Sequence, residues 1–205
     1  MIAIIDYGVG NLRSVEKAFE YLGKQAVITA DPKVVLESEK VVLPGVGAFG
    51  KSMESLAKAG MVSVVKEFIK SNRPFLGICL GLQMLFDESM EIFGETQTAY
   101  PGLGIFPGKV LRFNSDGLKV PQIGWNLIKK TKESPLLQGV PDESFVYFVH
   151  SYYVKSDDPE LIACTTDYGI EYCSGISRNN VSAFQFHPEK SSQVGLTILK
   201  NFAEL

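Results

Sequence analysis

Three short runs in the first half of the chain are almost continuously apolar: Ile2–Asp6, Lys40–Leu43 and Phe75–Cys79. A strand lying on a surface alternates apolar with polar residues. A strand that is apolar throughout is buried on both faces, as in a parallel sheet covered by helices. The segments between these runs have the period such helices need. Leu12, Val15, Phe19 and Leu22 follow at spacings of three, four and three, with Asn11 placed to cap the helix and Gly23 to end it. Met53, Leu56, Val64, Val65 and Phe68 mark a second helical stretch, broken near Gly60. Strand, helix, strand, helix in this order predicts right-handed crossovers and a doubly wound α/β sheet.

The second half has a different texture. Lys109–Phe113, Ile123–Ile128, Phe145–Val149, Leu161–Thr165, Ile170–Ser177 and Val181–Phe186 read as strands punctuated by turn residues such as Pro141-Asp142 and Asn179-Asn180. Ser191 or Ser192 is placed to cap a last helix with Val194, Ile198, Leu199 and Phe202 on its apolar face. The expected layout is one domain over residues 1–205, a central mostly parallel sheet with an antiparallel β extension.

Charge and cysteine usage exclude several function classes. Twenty basic against twenty-three acidic side chains leave a net charge of −3, and no Lys/Arg run offers a phosphate-tracking surface, so nucleic acid is not an expected partner. Only two histidines exist, which excludes a histidine-rich metal site; no metal and no cofactor is expected. Cys79, Cys164 and Cys173 form neither a CxxC pair nor a disulfide framework. The start, Met-Ile-Ala-Ile-Ile-Asp, lacks the features of a signal peptide, and no stretch approaches the roughly 18 apolar residues of a spanning helix. A cytoplasmic protein that meets no membrane is expected.

One segment carries chemistry. Pro74-Phe75-Leu76-Gly77-Ile78-Cys79-Leu80-Gly81-Leu82-Gln83 places a cysteine at the end of a buried strand, with a glycine two residues to either side and a helical stretch following. This is the Gly-x-nucleophile-x-Gly elbow, in which a sharp turn exposes the central side chain and bulky neighbours would strike adjoining backbone. The helix start favours a thiolate and offers the Leu80 amide to an oxyanion. Cys164 and Cys173 lack that context and read as buried core thiols. A cysteine nucleophile needs a base. His187 follows the apolar Ala183-Phe184-Gln185-Phe186, and Glu189, two residues on in an extended segment, lies on the same side to orient it. His150 has no carboxylate two or four residues away and reads as a pocket-lining or structural residue. The expected triad is Cys79, His187 and Glu189.

Gly77–Gly81 with Gln83, together with His187-Pro188-Glu189, resembles the class I (triad-type) glutamine amidotransferases. Further segments narrow the likeness: Ile5–Val15, Leu43–Phe49, Val120–Asn126 and His187–Ser191 are similar to the glutaminase subunits of imidazole glycerol phosphate synthases, over nearly the whole chain. The resemblance implies a flavodoxin-like fold and hydrolysis of glutamine to glutamate and ammonia through a glutamyl thioester. It also implies a heterodimer with a cyclase subunit, a (β/α)8 barrel. That subunit uses the ammonia to form imidazole glycerol phosphate and aminoimidazole carboxamide ribonucleotide in histidine biosynthesis. A separate acceptor is physically reasonable, because ammonia released into neutral water becomes non-nucleophilic ammonium.

The glycines of the turn Pro44–Gly47 would themselves let the amide of Val46 or Gly47 join that of Leu80 in an oxyanion hole, and their freedom in φ would let a peptide there flip, completing the hole, when the cyclase binds ligand. The resemblance assigns further residues. Gln83, Glu91, His150, Ser151 and Tyr152 would bind the substrate, Glu91 at the α-amino group. Asn11, Gln122, Trp125 and Asn126 would face the cyclase, with Lys190 as an inter-subunit salt-bridge partner. Gln122 departs from the histidine many relatives carry. Gly8-Val9-Gly10 lacks the third glycine of a dinucleotide fingerprint, Arg13 standing in its place. Two alternatives share much of this pattern: a paralogous glutaminase feeding another synthase, such as one for surface-sugar amidation, and a non-enzymatic binding relative.

Overall fold

The continuously apolar runs become the middle of the sheet. The computed structural model describes residues 1–91, 99–114 and 117–205. Its first half contains β1 (Ile2–Ile5), α1 (Leu12–Tyr21), β2 (Ala26–Thr29), α2 (Pro32–Glu37), β3 (Lys40–Gly45), α3 (Phe49–Lys58), α4 (Met61–Lys70), β4 (Phe75–Cys79) and α5 (Leu80–Gln83). The second half adds β5 (Phe86–Ser89), β6 (Tyr100–Pro101), β7 (Phe106–Arg112), β8 (Gln122–Lys130), β9 (Ser144–His150), β10 (Tyr152–Ser156), β11 (Ile162–Asp167), β12 (Glu171–Arg178), β13 (Val181–Phe184) and α6 (Ser192–Glu204).

Strands β2, β1, β3, β4 and β13 lie side by side and parallel. Beyond β13 the path continues through antiparallel β12, β10 and β7, then through β5 and β6. β11, β8 and β9 branch from β12 as an antiparallel ribbon. Alternate side chains of the parallel strands pack to opposite faces. Ile2, Ile4, Leu76 and Ile78 meet Phe19 of α1 and Ile198, Leu199 and Phe202 of α6. Ala3, Ile5, Val41, Leu43 and Phe75 meet Val35, Leu56, Val65 and Phe68 from α2, α3 and α4.

Three local expectations change. Asn11 stands at the start of α1, but its side-chain oxygen accepts from the Ser14 hydroxyl at 2.9 Å rather than from a backbone amide. Ser191 precedes α6 without capping it, because its hydroxyl is committed elsewhere. The helix after Cys79 is a single four-residue turn, α5, and all four of its residues are buried. An apolar run with no polar side has no surface to lie on as a long helix, and by Phe86 the chain is already in β5.

Candidate active site

The carboxyl ends of three adjacent parallel strands make the site, where open α/β sheets bind ligands. Gly45 pairs with Cys79 in register, and Phe184 pairs with Ile78. β4 therefore delivers Cys79, β13 leads to His187, and β3 leads into Val46-Gly47.

The elbow is strained where its chemistry requires. Cys79 has φ +55° and ψ −108°, a conformation costly for any residue but glycine. Its flanking glycines are obligatory for packing. A Cβ on Gly77 would lie 2.9 Å from the Ala183 Cβ, and one on Gly81 would overlap the Leu43 carbonyl oxygen. The two missing side chains let the turn close against β3 and β13 and expose the sulfur to a cavity.

That cavity, of about 200 Å³, is lined by Cys79, Gly47, Leu80, Gln83, Glu91 and His150, with Ser151, Tyr152, Pro121 and Val149. Elements remote in sequence thus place seven expected oxyanion and substrate residues around one sulfur. Gly47 has φ +88°, and the Val46 carbonyl before it accepts from the Ser52 hydroxyl at 3.4 Å. Glu91 accepts from the Phe49 amide at the start of α3. Burial raises its carboxyl above the usual range, and that amide works against the rise.

His187 is buried and pinned. Its amide donates to the Tyr147 carbonyl at 3.0 Å, and its carbonyl accepts from the Ser191 hydroxyl at 2.6 Å. The Ser191 oxygen in turn accepts from the Tyr147 amide at 2.9 Å. The His187 Nδ1–H donates to Glu189 Oε1 at 2.8 Å, and both side chains are at most 2% exposed. Nε2 of His187 and Oε2 of Glu189 have no hydrogen-bond partner among the described residues. Burial disfavours the imidazolium. The attraction of a Cys79 thiolate and the Glu189 carboxylate outweighs it, and the His187 pKa is raised to about 10. Nε2 of His187 is left for the reacting groups.

His150 is equally buried and titrates the other way. Its Nδ1–H donates to the Tyr152 carbonyl at 2.8 Å, and Nε2 lies 3.2 Å from the Tyr172 hydroxyl. Desolvation dominates, the charge of His187 adds to it, and the pKa falls to about 4. His150 is a neutral imidazole of fixed tautomer on the pocket wall.

One expected role needs correction. Gln122 does not face outward: it is 3% exposed, on the inner side of β8, and its Oε1 accepts from Tyr172 at 3.0 Å. Strand alternation separates it from Trp125, which is 52% exposed. Both amide hydrogens of Gln83 are engaged, by the Tyr152 carbonyl and by Gln185 Oε1, each at 2.9 Å, so only its oxygen is left for a substrate. Asn126 is also committed, donating to the Asp167 carbonyl at 2.8 Å. Lys190 lies 5.9 Å over the Tyr147 ring. Sequence reasoning missed Gln185, whose amide donates to the Cys79 sulfur at 3.6 Å. The signal was present, since Gln185 stands two residues before His187 and so on the same side of an extended segment.

Residues 3–205 match the family described as glutamine amidotransferase class-I. An imidazole glycerol phosphate synthase subunit HisH from Geobacter sulfurreducens is 53% identical over 100% of this chain and 98% of its own length. The subunit of that name from Chlorobaculum tepidum is 52% identical, with full coverage of both chains. Among solved structures, a glutamine amidotransferase superposes with TM-score 0.74 at 17% identity over all of both chains. A chain of PurLQS from Thermotoga maritima superposes with TM-score 0.71 at 18% identity, covering 99% of this chain and 95% of that one. These two likenesses concern the fold.

Proposed function

The chain belongs to the class-I glutamine amidotransferase family, and on that premise we propose that it is the glutaminase subunit of an imidazole glycerol phosphate synthase. The observation that carries the chemistry is a strained cysteine opening into a pocket beside a buried histidine–carboxylate pair. The relatives' shared name carries the pathway.

The Cys79 sulfur attacks the side-chain amide carbon of glutamine. A C–S bond forms, and the carbonyl electron pair moves to oxygen, where the amides of Leu80 and of Val46 or Gly47 receive it. His187 gives its proton to the nitrogen, the C–N bond breaks, and ammonia leaves. Water then loses a proton to His187 and attacks the thioester, glutamate forms, and the thiolate departs. Glu189 holds the tautomer and bears the charge of His187 throughout. Glu91 faces the α-amino group of the substrate, and Gln83, His150, Ser151 and Tyr152 wall the pocket.

The cyclase docks on the outer face of β8 and β9. Ile123, Trp125 and Phe145 are each more than half exposed there, an apolar patch of the kind that marks a protein interface. Trp125 stacks edge-on with Tyr147, beneath Lys190. Asn11 at the start of α1 and Asn126 on β8 are further residues that meet the cyclase. Ammonia passes from the pocket to the cyclase, which forms imidazole glycerol phosphate and aminoimidazole carboxamide ribonucleotide. Residues 1–205 act as one glutaminase domain. We place it in the cytoplasm, with its three thiols free; no helix among the described residues is long and apolar enough to cross a membrane.

The test combines the chain with a histidine-pathway cyclase and follows glutamine-dependent formation of imidazole glycerol phosphate. Cys79→Ala should abolish that activity while leaving activity with added ammonium salt. No product from glutamine with any such cyclase would overturn the proposal.

A further inference from the structure

A single turn of helix aligns few peptide dipoles, so α5 gives a sulfur anion little of the stabilisation that a long helix would. Another group faces the sulfur. The Gln185 side chain is fully buried, and its Nε2 lies 3.6 Å from Cys79 Sγ. The direction of this contact is fixed by its neighbours. The Tyr152 carbonyl can only accept, so the Gln83 atom 2.9 Å from it is the amide nitrogen. That nitrogen also lies 2.9 Å from the other amide atom of Gln185, which must be oxygen. Gln185 therefore turns its N–H toward the sulfur.

We propose that Gln185 is a further catalytic residue, whose side-chain amide donates to the Cys79 sulfur and holds negative charge there. Gln83 acts through it as a positioning residue. The proposal rests on Cys79 being the nucleophile. Before attack, the amide favours the thiolate over the thiol. During attack, the sulfur lone pair forms the C–S bond and the contact weakens. When the hydrated thioester collapses, the C–S pair returns to sulfur, and the Gln185 N–H meets the anion as it leaves. No proton moves through Gln185, so the transfers by His187 are unchanged. A hydrogen bond to an ionised partner is about twice as strong as a neutral one, which makes this contact a determinant of thiolate population.

The test is the pH profile of Cys79 alkylation by iodoacetamide in the full chain, read at the Cys79 peptide by mass spectrometry. Titratable groups near the sulfur come from several elements: His187 and Glu189 after β13, His150 on β9, Tyr152 on β10, Tyr7 after β1 and Glu91 after β5. The profile thus reports the coupled Cys79–His187 pair. Gln185→Leu should raise the pH of half-maximal alkylation by about one pH unit and slow glutamine turnover about tenfold. Gln185→Glu keeps the shape, sets a carboxylate at the sulfur and should raise it further. Gln83→Leu leaves the donor but frees its orientation, and should move the profile less. Leu and Glu profiles that superimpose on the parent's would overturn the proposal, whatever happens to turnover. Glutamine turnover retained in Cys79→Ser would instead overturn the reading of Cys79.

Discussion

His187 and His150 are both buried, lie close enough for the charge of one to shift the other, and have their pKa values moved in opposite directions. His187 has a carboxylate on one nitrogen, and Cys79 and Glu189 both favour its charged form. His150 has a carbonyl and a hydroxyl. Burial penalises the imidazolium at both sites, and only a counter-charge reverses it. Position in a pocket therefore does not make a histidine a base; its partners do.

The contrast can be broken first at the sulfur. Cys79→Ala should lower glutamine turnover in the cyclase complex by at least about 10⁴-fold, since the attacking atom is gone. Glu189→Gln removes the counter-charge and the tautomer control, and should cost about 10²–10⁴-fold. His150→Gln should cost less than about tenfold in kcat, because a wall residue transfers no proton. Steady-state kinetics on the three variants checks all three values; a His150 loss equal to that of Glu189 would erase the distinction.

The same contrast sets a pH dependence. A histidine whose folded pKa is depressed takes up its proton on unfolding, so its contribution is intact above the unfolded value of 6.5 and lost as pH falls toward 4. Over that window His150 should remove about 3 kcal/mol of stability. Urea titrations at several pH values should show a flatter profile for His150→Gln; an unchanged slope would place the acid sensitivity elsewhere. The smallest effect should come from outside the pocket. Trp125→Ala should weaken cyclase binding by about 10–30-fold, measured by calorimetry, while both imidazoles keep their charge states.

How much of this was legible depended on how locally each feature is determined. The parallel half could be read because strands buried on both faces advertise themselves, and the elbow because its two glycines are sterically required. β2 was missed: it is four half-buried residues at the sheet edge. β10 went unseen because Tyr152–Ser156 follows directly on the pocket residues His150 and Ser151. The resemblance sets Gln122 beside Trp125 on the cyclase-facing segment, although alternation along β8 sends the two to opposite faces. The rule of two that found Glu189 beside His187 also points upstream to Gln185, but the partner that gives Gln185 meaning is Cys79, 106 positions away. Long-range pairing of that kind is decided by sheet order, which spacing alone does not specify.

At neutral pH the two histidines differ in charge, one an imidazolium and the other neutral. With only two in the chain, a ¹⁵N-histidine-labelled sample gives two imidazole signals, assigned with His150→Gln. At pH 7, His187 should be an imidazolium and remain one above pH 8, while His150 should be neutral, with its proton on Nδ1. A neutral His187 or a charged His150 at pH 7 would contradict the account.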